Sequence, residues 1–164
     1  MAALTAGSKA PDFTLSTLDG KTFSLVQALQ AGPVVLGFFK VSCPVCQYAF
    51  PFLERLHQSY GRGLQVIGVS QDNAAHTAAF MKQFGVSFPV VLDSADSYVV
   101  SNAYGLTNVP TVFWIDGIGE IQVSSVGWVK SDFEQINRMM AEHLKAAPAV
   151  VFKPAEDVRD FRSG

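Results

Sequence analysis

Hydrophobic residues along the chain form two kinds of pattern, short continuous runs and longer stretches with helical spacing. Residues 34–39 and 64–70 are apolar almost throughout, which is typical of strands that are buried on both faces of a sheet. Between them, in residues 44–60, apolar side chains recur at helical spacing and polar side chains occupy the opposite face. A strand, a helix and a second strand in this order predict a βαβ unit whose two strands are parallel.

Shorter elements are predicted on both sides of this unit. Residues 12–15 and 21–25 are β-type runs separated by an Asp-Gly pair, so they predict an N-terminal β-hairpin. Residues 73–84 predict a helix that ends at a glycine. The remaining predictions are a strand at 88–92, a short helix at 97–104, two strands at 111–115 and 120–126 joined by a turn, and a last helix opened by a capping box of Ser131 and Glu134.

The order of these elements predicts an α/β protein in which helices flank a mixed β-sheet. The chain has 164 residues and is 49% hydrophobic, which suits one domain with a sizeable core. We place this domain at residues 1–146. Residues 147–164 contain prolines, a charged end and no clear periodicity, so we expect them to form a C-terminal tail.

The charge of the chain excludes several classes of function. Twelve basic and 14 acidic residues give a net charge of −2, so nothing attracts the protein to nucleic acid or to anionic lipid. No apolar run reaches the ~18 residues of a membrane-spanning helix, and the start of the chain lacks the layout of a signal peptide. We therefore expect a monomer without nucleic-acid or membrane partners, cytoplasmic as written, or periplasmic or otherwise extracytoplasmic if a leader has been removed.

The two cysteines of the chain, Cys43 and Cys46, are its candidate reactive groups. So short a spacing makes a poor structural disulfide, because the loop that it closes contributes little entropy. Cys43 directly precedes a predicted helix, whose dipole and free N–H groups favour thiolate over thiol. Cys46 lies one turn further, within reach of a mixed disulfide formed on Cys43. The pattern predicts a catalytic redox pair that needs neither a metal nor a cofactor.

Residues 34–46, which end in Cys-Pro-Val-Cys, resemble the strand and CxxC segment of the TlpA/ResA-like thiol-disulfide oxidoreductases. These proteins belong to the thioredoxin superfamily and are related to the AhpC/TSA redoxins. Pro51 stands where they carry a helix-kinking proline, and the resemblance extends over residues 7–145. It implies a thioredoxin-like fold and a protein-disulfide reductase type of activity with an antioxidant role. The implied partners are protein thiols or disulfides and an unidentified electron donor.

The resemblance also implies a substrate-binding segment. Residues 104–111 are similar to the segment that carries the cis-proline of this family. Pro110 would then face the cysteine pair, and the backbone of Val109 would pair with an extended substrate. Lys40, three residues before Cys43, is a candidate modulator of the thiolate, with a solvated lysine at a strand end as the alternative.

Two positions depart from the family pattern. Gly37 stands where thioredoxins carry a buried aspartate, and Ala49 stands where ResA-like proteins carry a glutamate. Both carboxylates are proton acceptors in the proteins that have them. We therefore expect the deprotonation of Cys46 to fall to water or substrate, with slow reductase turnover.

Two alternative functions remain open. A peroxiredoxin-like thiol peroxidase shares the N-terminal hairpin, but Lys40 and Leu36 occupy the positions where its peroxide pocket needs a hydroxyl residue and a proline. A copper-binding chaperone with a thioredoxin fold would suit two thiolates, but such proteins space their cysteines by three residues, and His143 has no evident route to the pair. Zinc needs about four ligands, and the three histidines lie at no ligand spacing.

Overall fold

The computed structural model describes residues 2–93 and 95–164, and a mixed sheet of seven strands forms its centre. The strands of this sheet are β1 (Thr14–Thr17), β2 (Thr22–Ser24), β3 (Val34–Phe39), β4 (Gln65–Ser70), β5 (Val90–Leu92), β6 (Thr111–Ile115) and β7 (Ile121–Val126). The helices are α1 (Leu25–Gln30), α2 (Pro44–Tyr60), α3 (Ala74–Phe84), α4 (Val99–Ala103) and α5 (Lys130–His143). The short strands β8 (Trp128–Val129) and β9 (Phe161–Arg162) pair with each other outside this sheet.

The strand order is β2-β1-β5-β4-β3-β6-β7, which places β3 inside the sheet. β3 pairs in parallel with β4 and antiparallel with β6, so the predicted βαβ unit is confirmed. β1 pairs antiparallel with both β2 and β5, and the predicted hairpin forms one edge of the sheet. The predicted α/β class, with a mixed sheet, flanking helices and an N-terminal strand pair, is likewise confirmed.

The burial of β3 explains its continuous apolar run. Val35 and Phe39 belong to a cluster that α2, α3 and α5 complete on one face of the sheet. Val34, Leu36 and Phe38 belong to a second cluster, which α1 and α4 cover on the other face. Because successive side chains of a strand point to opposite faces, a strand between two cores needs apolar residues at every position.

Helix α1 is an element that the hydrophobic pattern did not predict. The predicted β-run at 21–25 ends in Leu25, which in the structure is the first residue of this helix. Ser24 caps the helix, because its hydroxyl accepts a hydrogen bond from the N–H of Gln27 at 3.4 Å. A helix of six residues shows too little of the helical period to be recognised in a sequence.

The capping box predicted at Ser131 and Glu134 is wrong. Helix α5 begins at Lys130 with Val129 as its N-cap residue, and no side chain caps it. A tertiary contact explains the difference, since β8 leads directly into the helix. The N–H of Lys130 donates to the carbonyl of Asp160 at 2.9 Å, so a distant backbone group replaces the side-chain cap.

Residues 147–164, expected to form a C-terminal tail, run across α2 and α5. Val151 is 2% exposed and belongs to the same apolar cluster as those helices. Arg55 of α2 donates to the carbonyl of Val151 at 2.7 Å and to both carboxylate oxygens of Glu156 at 2.6 and 2.7 Å. This pair lowers the pKa of Glu156. The segment is therefore packed against the sheet-and-helix body before β9 pairs with β8.

We expect Val151→Ala to lower the free energy of unfolding by about 2 kcal/mol, because it removes two buried methyl groups and leaves a cavity. The matched control is Val150→Ala, since Val150 is 74% exposed and its truncation should stay within about 0.5 kcal/mol of the parent. Urea unfolding of the two variants measures the difference. Equal stabilities would contradict the packed position of the segment.

Candidate active site

The end of β3, a turn and the start of α2 hold the two cysteines. Cys43 occupies the N-cap position of α2, and Pro44 is the first helical residue. The N–H of Cys43 donates to the carbonyl of Lys40 at 3.2 Å, which closes the turn between strand and helix. Cys43 is half-buried at the helix mouth, whereas Cys46, one turn further, is fully buried. Both are free thiols.

Several groups that favour negative charge surround the sulfur of Cys43. The Cys46 thiol donates a hydrogen bond to it and is the main reason why the pKa of Cys43 falls from 9.0 to about 6. The backbone N–H of Cys46, 3.2 Å from the Cys43 sulfur, acts in the same direction, as do the N–H of Val45 and the charge of Arg162. Partial burial opposes them. At neutral pH Cys43 is mostly thiolate, the form that attacks disulfides.

We expect the rate of Cys43 alkylation by iodoacetamide to rise about tenfold per pH unit up to its midpoint and then to level off. The midpoint should lie at about pH 6, because the lowered pKa makes thiolate the dominant form above that pH. Mass spectrometry of the cysteine peptide after short pulses measures it. Cys46→Ala removes the thiol donor but keeps the backbone N–H, so it should raise the midpoint. An unchanged midpoint would contradict the assigned main cause.

Cys46 is held in the opposite protonation state. Burial is the main cause that raises its pKa, and its hydrogen bond to Cys43 raises it further. The negative charge of Asp72 has the same effect. The Asp72 carboxylate is fixed by the N–H of Val41, which donates to it at 2.8 Å. Cys46 therefore stays a thiol while Cys43 is ionised.

The predicted substrate segment lies against the cysteine pair. The peptide bond between Val109 and Pro110 is cis, as the resemblance implied. The carbonyl oxygen of Val109 lies 3.4 Å from the Cys43 sulfur and accepts a hydrogen bond from it in the thiol form. The hydroxyl of Thr111 donates to the carbonyl of Asn108 at 2.8 Å and ties this loop to β6. The structure thus brings Cys43, Cys46 and the Val109-Pro110 segment together.

Lys40 is turned towards Tyr98. Its ammonium donates to the Tyr98 hydroxyl at 3.2 Å and lies 5.3 Å from the centre of the ring. The hydrogen bond to Tyr98 also raises the pKa of Lys40. Both residues line a polar cavity of about 290 Å³ that reaches Val109. Arg162 is a positively charged residue that lowers the pKa of Cys43, and sequence reasoning did not single it out.

Apolar side chains surround the two positions where the resemblance implies a carboxylate. A Cβ atom on Gly37 would come within 2.7 Å of Leu53 and 3.3 Å of Phe50, and Ala49 is 1% exposed. Asp72 is an acidic residue whose charge does reach Cys46, and it was not among the predicted site residues. Its position two residues after β4, which is parallel to β3, could have indicated it, because parallel strands end at the same edge of a sheet.

The histidine considered for a copper site lies far from the cysteines. Nε2 of His143 is 3.8 Å from a Cβ built on Gly32, two residues before β3, whereas Cys43 follows the other end of that strand. Six residues of strand separate the two ends by about 20 Å. Across residues 2–93 and 95–164, no group of three or more His, Cys, Asp or Glu side chains is placed to hold a metal ion.

No helix in those ranges is long and apolar enough to cross a membrane.

Comparison with known proteins gives matches that agree with this geometry. Residues 6–124 match the AhpC/TSA family. Thiol-disulfide oxidoreductase ResA of Geobacillus thermodenitrificans (strain NG80-2) is 34% identical over 136 residues, which are 81% of this chain and 76% of that protein. Thioredoxin-like protein YneN of Bacillus subtilis (strain 168) is 31% identical over 134 residues, 79% of this chain and 76% of that protein.

Solved structures share the fold. A thiol:disulfide interchange protein of the thioredoxin family from Chlorobium tepidum TLS superimposes with a TM-score of 0.67 at 29% identity, covering 85% of this chain and 99% of that one. The thioredoxin domain of a thiol-disulfide oxidoreductase from Bacteroides vulgatus gives a TM-score of 0.74 at 22% identity, with coverages of 84% and 99%. The thioredoxin-like architecture expected from the resemblance is confirmed.

Proposed function

Since the chain belongs to the AhpC/TSA family and is a thiol-disulfide oxidoreductase, we propose that it exchanges disulfides with protein thiols through the Cys43-Pro44-Val45-Cys46 motif. Cys43 is the attacking thiolate in this proposal and Cys46 the resolving thiol. The backbone of Val109, beside Pro110, receives an extended segment of the substrate. The chemistry uses sulfur alone and needs no cofactor.

The observation that carries the proposal is the pairing of an ionised and a protonated sulfur. The pKa of Cys43 is about 6, whereas burial raises that of Cys46. The half-buried thiolate is the sulfur that a substrate disulfide can reach. The buried Cys46 thiol already donates a hydrogen bond to the Cys43 sulfur, so it is in position for the second attack. Such a division of roles is what two-step disulfide exchange requires.

The exchange proceeds in two balanced steps. In the reducing direction, the Cys43 thiolate attacks one sulfur of the substrate disulfide, the S–S bond breaks, and the second substrate sulfur leaves as a thiolate that takes up a proton. Cys46 then loses its proton and attacks the Cys43 sulfur of the mixed disulfide. A Cys43–Cys46 bond forms, the bond between Cys43 and the substrate breaks, and the first substrate sulfur leaves as a thiolate that takes up a proton from water. The substrate gains two electrons, and a dithiol donor must return them to the enzyme.

The deprotonation of Cys46 is the step that this site supports least. The mixed disulfide removes the negative charge from Cys43, which eases ionisation of Cys46, but burial and the Asp72 charge still oppose it. We propose that the substrate thiolate released in the first step takes up the Cys46 proton. It would serve as the proton acceptor that is missing because Gly37 and Ala49 stand at the positions of the expected carboxylates.

Equilibration in buffers of defined dithiol to disulfide ratio, followed by alkylation of free thiols, tests the proposed function. We expect the pair to convert in one two-electron step, with both cysteines becoming protected together. The midpoint gives the reduction potential and hence the direction of exchange in a given compartment. A protein in which Cys43 and Cys46 never form a mutual disulfide would contradict the proposal. Peroxide consumption without added protein disulfide, measured in parallel, would favour the peroxidase alternative.

A further inference from the structure

We infer that Arg162 is a positioning residue for this exchange, held by β9 so that its positive charge stabilises the Cys43 thiolate. The inference rests on the proposed role of Cys43 and extends it to the C-terminal segment. That segment lies outside residues 6–124, which carry the family match. The reactive pair would therefore depend on a part of the chain more than a hundred residues away.

The backbone around Arg162 is anchored on three sides. Hydrogen bonds join residues 159–164 to β8 and α5, to α2 and to the loop that precedes Pro110. They run from Trp128 Nε1 to the Arg159 carbonyl (2.6 Å), from the Lys130 N–H to the Asp160 carbonyl (2.9 Å), from the Arg159 N–H to the Tyr48 hydroxyl (3.1 Å) and from Asn108 Nδ2 to the Gly164 carbonyl (3.0 Å). A strand of two residues is thus held in place from both ends.

The side chain of Arg162 is placed by an aromatic contact. Its guanidinium carbon lies 5.1 Å from the centre of the Tyr48 ring, a cation–π arrangement. Tyr48 is in the second turn of α2, the helix whose N-cap residue is Cys43. Two residues further along the chain, Gly164 packs so closely on the Val109 carbonyl that a Cβ atom would not fit. The segment that carries Arg162 therefore contacts α2 on Tyr48 and ends beside the Val109 carbonyl, which lies 3.4 Å from the Cys43 sulfur.

The other charged side chains near the cysteine pair have partners or effects other than the Cys43 thiolate. Lys40 is engaged with the hydroxyl and the ring of Tyr98, and Asp72 raises the pKa of Cys46. The positive charge of Arg162 lowers the pKa of Cys43. Because Arg162 is only half-buried, dissolved salt should screen its effect.

The test compares Arg162→Gln with Arg159→Gln in the Cys46→Ser background, where Cys43 is the only thiol. Both variants remove one positive charge from the same segment, but the contacts that anchor residue 159 come from its backbone. We expect Arg162→Gln to raise the midpoint of Cys43 alkylation by about half a pH unit, which lowers the ratio of thiolate to thiol roughly threefold at a given pH. Arg159→Gln should leave the midpoint unchanged, and Arg162→Lys should restore most of the shift.

Ionic strength separates an electrostatic role from a structural one. Added salt should raise the midpoint of the parent and have little effect on Arg162→Gln, because the screened charge is already gone. Equal midpoints and equal salt responses in the parent and in Arg162→Gln would overturn the inference. Alkylation does not require the Cys43–Cys46 disulfide, so this result is independent of whether the proposed exchange takes place.

Discussion

Replacing Cys43 with serine is expected to lower the rate of protein-disulfide reduction by at least about a thousandfold, the scale of loss when the nucleophile of a covalent catalyst is removed. A serine hydroxyl is hardly ionised at neutral pH, whereas the pKa of Cys43 is about 6. Cys46→Ser should behave differently. Cys43 keeps the N–H donors of α2 in that variant, so attack continues but stops at the mixed disulfide.

Insulin reduction with dithiothreitol as donor measures the first variant, and non-reducing electrophoresis with mass spectrometry detects the trapped complex of the second. The serine variants are matched, because each replaces one sulfur with one oxygen. Accumulation of mixed disulfide with Cys43→Ser instead of Cys46→Ser would reverse the proposed roles. Retention of activity in both variants would exclude the motif as the active site.

Introducing the missing aspartate at residue 37 is expected to lower the free energy of unfolding by about 4 kcal/mol or more. A Cβ atom alone would meet Leu53 at 2.7 Å and Phe50 at 3.3 Å, and the neighbouring strand residues are fully buried. A carboxyl group would then lie among apolar side chains without a hydrogen-bonding partner. Urea unfolding followed by tryptophan fluorescence measures the loss, because Trp114 and Trp128 are both buried.

Two further variants separate the contributions. Gly37→Ala adds only the steric clash and should cost about 1–3 kcal/mol. Gly117→Asp makes the same chemical change in open space, since no atom lies within 4 Å of a Cβ at Gly117, and should change stability by less than about 1 kcal/mol. If Gly37→Asp were as stable as Gly117→Asp, the packing around residue 37 would not be what excludes the family's acid.

The sequence predicted the parts of the fold that repeat a simple physical pattern. β3 and β4 were recognisable because a strand between two cores is apolar at every position, and α2 because its polar face returns with the helical period. The position of Cys43 at the helix mouth followed from these two elements. The cis form of the Val109-Pro110 bond came from the family resemblance, since few X-Pro bonds in folded proteins are cis.

The features that sequence reasoning missed depend on contacts between distant residues. Arg55 binds Glu156 across a hundred residues of chain, and neither has a local pattern that indicates the other. The start of α5 depends on a carbonyl from residue 160. Arg162 reaches the active site through the same segment, so its role could not be read from spacing or periodicity.

The burial of Cys46 affects how the cysteine pair responds to oxidants. Cys46 is fully buried and protonated, whereas Cys43 is half-buried and ionised. When an oxidant converts Cys43 to a sulfenic acid, the reduced Cys46 thiol is already in contact with it. The sulfenic acid and the thiol then condense to a disulfide with loss of water. That closure competes with further oxidation to the sulfinic acid, which thiols do not reverse. Burial therefore keeps Cys46 reduced until Cys43 is oxidised, and the disulfide that forms is the oxidised state of the proposed catalytic cycle.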